Sequence, residues 1–160
     1  MRILMMTAAV LAAFTPVALA AKALPTPTYL MKAGASDMFE IESAKVVMDS
    51  PNAKVHDFAQ MMVTDHTGST EKVKAAAMQA GLHPAPPHLS PKQMRDLSAL
   101  RAARGPARDA LYIRQQKMAH SDALMVQSGY ATGGSVRPLR MVASEIVPVV
   151  KHHIAMLRMM

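Results

Sequence analysis

The stretch Phe58-Ala-Gln-Met-Met-Val-Thr-Asp-His66 decides the fold of this chain. Apolar residues recur at Val55, Phe58 and Met62, and the 3.6-residue period of an α-helix carries the same stripe on to His66 and Val73. Because such a stripe faces a core, the sequence predicts a long helix with a histidine on its buried side.

The same pattern, a polar side chain on an apolar helical stripe, recurs in three further predicted helices. It places Glu40 on the inner face of the first helix, His120 on that of the third long helix and His153 on that of the last. The short connection at Ser50-Pro51 makes the first two helices antiparallel neighbours. The sequence therefore predicts an all-α, ferritin-like up-down-up-down four-helix bundle with one broken helix.

Capping residues and prolines set the expected bounds of these helices. We expect helices over 28–49, 51–80 and 107–129 and a last helix after Ser135, with a short segment over 90–103 that gives the third long helix a bent beginning. Inside the last helix Pro148 removes one backbone donor, which predicts a kink one turn before His153. The expected caps are Thr26 or Thr28, Ser50 (with Pro51 as the first helical residue), Gly81, Ser90 and Ser135.

The amino-terminal segment has the composition of a secretory signal peptide. Arg2 precedes an apolar run, and Ala18 and Ala20 stand at the spacing that a signal peptidase reads. A membrane anchor is the weaker interpretation, because Thr15-Pro16 interrupts the run and no basic cluster follows it. We expect residues 1–20 to be a signal peptide cleaved after Ala20, residues 21–27 a flexible leader and residues 28–160 the bundle, in a periplasmic or secreted protein.

Composition narrows the chemistry that such a protein can perform. The chain has no cysteine, 16 methionines and a formal net charge of +7. Disulfides and thiolate chemistry are excluded, so a metal would need histidine, methionine or carboxylate ligands. The basic residues are scattered and aromatic residues are few, so we expect no nucleic-acid partner. We also expect no transmembrane span after signal removal; an anionic envelope surface or a protein partner, and the oligomeric state, stay open.

Four motifs along the chain share their order and spacing with a known family. They are Phe39-Glu40-Ile41-Glu42, the stretch 58–66, Asp109-x-x-Tyr112 followed by Ala119-His120, and Pro148-x-x-x-His152-His153. Together they resemble the exported bacterial family called domain of unknown function 4142, over residues 30–157. The resemblance implies a ferritin-like four-helix bundle of the periplasm or envelope and no established activity. By residue, the family pattern falls on Glu40, Asp65, His66, Asp109, Tyr112, His120, Pro148 and His153, and Arg108 departs from it where family members usually have an aromatic residue.

Glu40, His66, His120 and His153 form the candidate metal site, one residue from each helix. Imidazole nitrogens and a carboxylate suit Cu, Zn or Fe, and ferritin-like proteins hold metals in the bundle core. No helix carries the Glu-x-x-His pair of di-iron carboxylate centres, so a mononuclear site is the sharper hypothesis. Counted from the turns, the four residues lie at unequal depths, and the helices must be skewed for all four to meet.

Two other interpretations of these residues remain open. Glu40 with His66, and Tyr112 or Asp109 with another histidine, would form a buried polar network that fixes helix pairing without a metal. Methionine at helical spacing is usually core filler, but it can also bind Cu(I). The methionines that accompany the histidines are Met61, Met62, Met118, Met125, Met156, Met159 and Met160.

Enzymatic motifs are missing from the sequence. Gly133-Gly134 follows no strand that would make it a phosphate-binding loop, and no nucleophile elbow is present. We therefore expect no enzymatic activity. Two functions survive: a bundle that binds a metal through inward-facing His and Glu, and a non-catalytic envelope structural or interaction protein whose buried His and Glu form a polar network.

Overall fold

The computed structural model describes residues 23–160, which fold into five α-helices without a strand in that range. The predicted signal peptide and the first two residues of the predicted leader lie outside the described residues. The helices are α1 (Thr26–Val46), α2 (Ala53–Gln79), α3 (Pro91–Ala102), α4 (Gly105–Gly133) and α5 (Arg137–Arg158). Within the described part of the chain, no helix is both long and apolar enough to cross a bilayer.

The beginnings of α1 and α2 differ from the predicted caps. Helix α1 starts at Thr26, inside the predicted leader, and Pro25 precedes it without a side-chain cap. Asn52, not Ser50, caps α2 through its side chain. The Ser50 hydroxyl instead donates to Asp109 at 2.6 Å, which ties the α1–α2 turn to the beginning of α4.

The predicted signals at the end of α2 and the beginning of α3 are confirmed. Gly81 adopts φ +70, and the amide of Leu82 donates to the carbonyl of Ala77, the left-handed helix ending that glycine favours. Ser90 and Gln93 form a reciprocal capping box at α3. Gln93 also donates to the carbonyl of Ala35, so α3 lies along α1.

The predicted break of the third long helix is present and is sharper than a bend. Gly105 has φ +55, a conformation that glycine adopts readily, and it reverses the chain between α3 and α4. Arg101 of α3 approaches Glu42 in α1, whereas Gln116 of α4 reaches back to Ser43. Helix α3 is therefore a separate short helix antiparallel to α4, and the five successive helices alternate in direction. The all-α bundle is confirmed, but the predicted up-down-up-down order with one broken helix is wrong: the four long helices α1, α2, α4 and α5 run up, down, down and up.

The last helix begins at Arg137, one residue later than a cap at Ser135 would place it. Val136 precedes α5 without a side-chain cap, and the Ser135 hydroxyl instead bonds Thr26 of α1 at 3.0 Å. Pro148 lies inside α5, as predicted, where its missing N–H leaves the carbonyl of Ser144 without its helical donor.

The four long helices form a ring in which α1 contacts α2 and α4, and α5 contacts the same two. Their inner faces make two apolar clusters, one around Tyr29, Tyr130 and Leu139 and the other around Phe58, Met62 and Leu157. Between these clusters the bundle is crossed by a set of buried polar side chains that we call the histidine layer: Asp37, Glu40, His66, His120 and His153.

Candidate metal centre

Three imidazole rings, each from a different helix, meet in the histidine layer. The ring centroids of His66, His120 and His153 are 5.3 to 5.5 Å apart, and the three side chains are 3%, 0% and 0% exposed. One ring nitrogen from each lies within 4.8 Å of the other two. Helices α2, α4 and α5 thus bring together three potential metal ligands, and each is at least 33 residues from the other two in the sequence.

The hydrogen-bond partner of His66 fixes which of its nitrogens faces the centre. Its Nδ1–H donates to Oδ1 of Asp37 at 2.8 Å, and Oε2 of Glu40 lies 3.1 Å from the same nitrogen. The other nitrogen, Nε2, is buried and has no hydrogen-bond partner. Nε2 is therefore the coordinating atom that His66 can offer.

The other two histidines are oriented in the same way by acceptors outside the centre. Nδ1–H of His120 donates to the carbonyl of Gln116 at 3.0 Å, because a carbonyl oxygen can only accept. Nε2–H of His153 donates to Oδ2 of Asp65 at 2.9 Å. In their neutral forms both rings consequently present an unprotonated nitrogen towards the centre, Nε2 of His120 and Nδ1 of His153.

These two unprotonated nitrogens lie only 3.2 Å apart. Two lone pairs at that distance repel each other unless a proton or a metal ion lies between them. At a Zn–N distance of about 2.0–2.1 Å, two nitrogens of a tetrahedral site are about 3.3–3.4 Å apart. The observed separation therefore matches two ligands of one ion.

Glu40 lies beside the histidines but on a different side from the converging nitrogens. Its Oε2 faces Nδ1 of His66, and its Oε1 is 3.3 Å from Nδ1 of His120. That second contact is too poorly aligned for a hydrogen bond, since His120 points its N–H at Gln116, and Oε1 has no partner. The structure thus brings all four predicted residues together and groups Glu40 with Asp37 and His66 in a second cluster.

The charges of the histidine layer are unequal. Burial lowers the pKa of His66, but the carboxylates of Glu40 and Asp37 outweigh this effect and raise it to about 9. Burial, followed by repulsion from His66 and His153 in their protonated forms, lowers the pKa of His120 to about 3. Burial also lowers the pKa of His153 and raises that of Glu40 to about 7. At neutral pH His120 and His153 are therefore neutral, whereas His66 carries a second proton on Nε2, which has no acceptor.

The orienting acceptors were the part of the site that the sequence did not assign. Asp37 lies on the same buried face of α1 as Glu40, three residues before it, and Asp65 directly precedes His66. The expected pairing of a histidine with Tyr112 or Asp109 is wrong. Tyr112 has a buried hydroxyl without a partner, and Asp109 accepts from Ser50.

The methionines divide between the core and the surface. Met62 is fully buried in the apolar cluster around Phe58, where Met61, Met156 and Met160 pack against it as core filler. Met118, Met125 and Met159 are exposed. Four of the seven methionines singled out above therefore have a packing role.

The fold and the histidine layer together define a class of protein, an all-α bundle with a buried histidine centre. The family described as "Domain of unknown function (DUF4142)" matches residues 12–160, and the chain belongs to it. The crystal structure of a DUF305 fragment from Deinococcus radiodurans has the same fold, with a TM-score of 0.71 at 15% identity, over 86% of this chain and 96% of that one. No curated protein matches the chain.

Proposed function

We propose that this protein is an exported metal-binding bundle that holds one transition-metal ion on His66, His120 and His153. The observation that carries the proposal is the convergence of three imidazole nitrogens, each turned towards the centre because the other nitrogen of its ring is bound to an outer acceptor. Outer acceptors of this kind set the tautomer and orientation of metal-binding histidines in proteins. Asp37, Asp65 and the Gln116 carbonyl would fill that role here.

The donor set favours Cu, Zn or Fe. Imidazole is a good ligand for all three, and the chain has no thiolate that would select among them. Glu40 would not be a direct ligand in this arrangement. Its position on the Nδ1 side of His66 gives it the role of a buried counter-charge that compensates the cation.

The alternative function, a structural polar network without metal, is supported by the buried contacts of His66 with Asp37 and of His153 with Asp65. It leaves two features of the layer unexplained, however. Nε2 of His66 has no partner, and two lone pairs face each other between His120 and His153. Buried polar groups in a purely structural network are normally satisfied.

Export is the second part of the proposal, and it is supported by the sequence of residues 1–20. Mass spectrometry of the protein from the periplasm or medium should show Ala21 as its first residue. A retained Met1 or Leu11 would contradict export with cleavage after Ala20.

Elemental analysis of the exported protein, followed by titration of the apo form with Cu(II), Zn(II) and Fe(II), tests metal binding directly. We expect one ion per chain and complete loss of uptake in His120→Ala. His152→Ala is the matched control, because His152 is an exposed histidine adjacent to His153 on the same helix. Absence of uptake by the unmodified protein, or equal loss in both variants, would contradict the proposal.

A further inference from the structure

The histidine layer is reached from the surface by a cavity in the seam between α2 and α5. It has a volume of about 200 Å³ and is lined on the α5 side mainly by Ile146, Val149, Val150 and His153. On the α2 side, His66 and Asp65 line it. Two of the three histidines of the proposed metal site therefore form the inner end of this cavity.

The cavity contains a second buried polar group without a partner. Ser69 is 8% exposed, lies one turn after His66, and its hydroxyl makes no hydrogen bond. A helical serine commonly bonds the carbonyl four residues earlier, so a free hydroxyl leaves a donor available to another molecule. It lines the same cavity as His66, whose Nε2 is also without a partner.

The outer part of the cavity is open and bordered by charged side chains. Lys72 of α2 and Glu145 of α5 pair at 3.1 Å across the seam, and both are more than half exposed. Gly68 lines the cavity as well, and a Cβ at this position would meet no atom within 4 Å. The rim of the cavity at Gly68 is therefore not covered by other atoms.

We propose that this cavity, lined by Gly68, Ser69, His66 and His153, admits a small inorganic anion to an open coordination position of the ion. The inference rests on the proposed function. Three protein ligands leave a tetrahedral ion one position short, as in metal sites that bind exogenous ligands. Three neutral imidazoles leave the charge of the ion uncompensated by its direct ligands, which favours an anion, and the Ser69 hydroxyl donates a hydrogen bond to it.

Azide added to the Cu(II)-loaded full-length protein is the probe. We expect a saturable azide-to-copper charge-transfer absorption. Gly68→Leu places a side chain in the opening and should weaken azide affinity by about tenfold or more. Ser69→Ala removes the hydrogen-bond donor and should weaken it by about threefold to tenfold.

Gly129→Leu is the matched control. Gly129 is also a helical glycine with open space around its Cβ position, and it does not line this cavity. Both leucine variants replace glycine with a better helix former, so both should fold. Copper stoichiometry measured on every variant separates loss of the ion from loss of azide.

The outcomes are distinguishable. Failure of the unmodified protein to bind copper refutes the proposed function itself. Stoichiometric copper without an azide response overturns the inference about the cavity and leaves the metal site standing. Equal azide affinity in Gly68→Leu and the unmodified protein, or equal weakening in Gly129→Leu, overturns this route of access.

Discussion

Two clusters of polar side chains in the same bundle differ in whether their hydrogen bonds are satisfied. At one end, the buried Tyr29, Gln127 and Tyr130 form a tyrosine cluster with the partly buried Thr26 and the exposed Ser135 at its edge. It is closed by hydrogen bonds: Tyr29 donates to Gln127 at 3.0 Å, and Thr26 bonds Tyr130 at 2.7 Å and Ser135 at 3.0 Å. The rings of Tyr29 and Tyr130 stack at 3.8 Å. In the middle of the bundle, the histidine layer keeps unpartnered atoms and facing lone pairs.

This difference distinguishes buried polar side chains that stabilise the fold from those that are kept for a function. A satisfied buried network costs little and fixes one packing arrangement, whereas an unsatisfied one lowers the free energy of unfolding and persists where it serves another purpose. The tyrosine cluster behaves as part of the core. The histidine layer has buried polar atoms without protein partners, as a ligand-binding site does. Substitutions made separately in the tyrosine cluster and in the histidine layer test this contrast.

The largest effect on stability is expected in the tyrosine cluster. Tyr29→Ala removes a stacked aromatic ring and the donor to Gln127, and it should lower the free energy of unfolding of the apo protein by about 3–5 kcal/mol. Urea unfolding measures this change. Metal stoichiometry should stay the same, because Tyr29 belongs to the tyrosine cluster and not to the histidine layer. Loss of metal uptake in a folded Tyr29→Ala protein would show that the two clusters are not independent.

Metal binding in the histidine layer should raise the free energy of unfolding of the protein by somewhat less than Tyr29→Ala lowers it. Free ion at 100 times its dissociation constant raises the free energy of unfolding by about 2.7 kcal/mol, since the ion binds only the folded chain. Thermal unfolding with and without Zn(II) measures it. His120→Ala should show no such shift, and an equal shift in that variant would place the binding elsewhere.

Removing single histidines from the apo protein should have unequal effects. His66→Ala leaves the carboxylates of Asp37 and Glu40 buried without their partner, which costs about 1–3 kcal/mol. His120→Leu, a change of similar volume, removes a lone pair that faces another and should cost less than about 1.5 kcal/mol. Urea unfolding of both apo variants compares them. The reverse order would mean that the His120–His153 contact is the stabilising one.

Metal affinity should rise with pH. The raised pKa of His66, about 9, means that the ion must displace a proton from it at neutral pH. Apparent affinity should therefore increase by about tenfold per pH unit up to that value, with about one proton released per ion. Isothermal titration in buffers of different ionisation enthalpy counts the proton; no release at pH 7 would contradict a protonated His66.

The same proton sets the sign of a pH effect on the apo protein. Because the pKa of His66 is higher in the folded chain than its ordinary 6.5, the stability it contributes is fully present below 6.5 and is lost as the pH rises through about 9. His120 acts in the opposite direction at lower pH, because its lowered pKa costs stability as the pH falls from 6.5 towards 3.

The smallest effect is expected at Pro148. Replacing it with alanine restores an N–H that can bond the Ser144 carbonyl, and this should straighten any kink that the proline causes just before His153. Metal affinity should fall a few-fold while the bundle stays folded. Unchanged affinity and stability in Pro148→Ala would show that this proline has no part in aiming the histidine.

Much of the architecture could be predicted because the apolar stripes have a clear helical period. The stripe through Phe58, Met62 and His66 gave α2 and its buried face, and the motif at Ser90 gave the beginning of α3. Ser50 and Ser135 look like caps from local sequence alone. In the structure the hydroxyl of Ser50 bonds Asp109 and that of Ser135 bonds Thr26 instead. Both partners are far away in the sequence, so no local rule predicts these contacts.

The convergence of Glu40 and the three histidines was harder to predict, because the four residues lie at different numbers of residues from the turns that connect their helices. Side chains lean towards the amino end of their own helix, and neighbouring helices here are antiparallel. Glu40 therefore leans away from the α1–α2 turn, whereas His66 leans towards it. The two lean towards each other, as do His120 and His153 near the opposite turn, which removes part of the mismatch that residue counting implies.

The acceptors that orient His66 and His153 come from other helices, and this determines when during folding the centre can bind an ion. His66 on α2 is oriented by Asp37 on α1, and His153 on α5 is oriented by Asp65 on α2, so no pair of adjacent helices carries the complete centre. The last helix must dock before three nitrogens converge. If the proposed export takes place before folding, the ion could be bound only after α5 has docked, from the metal available in the destination compartment.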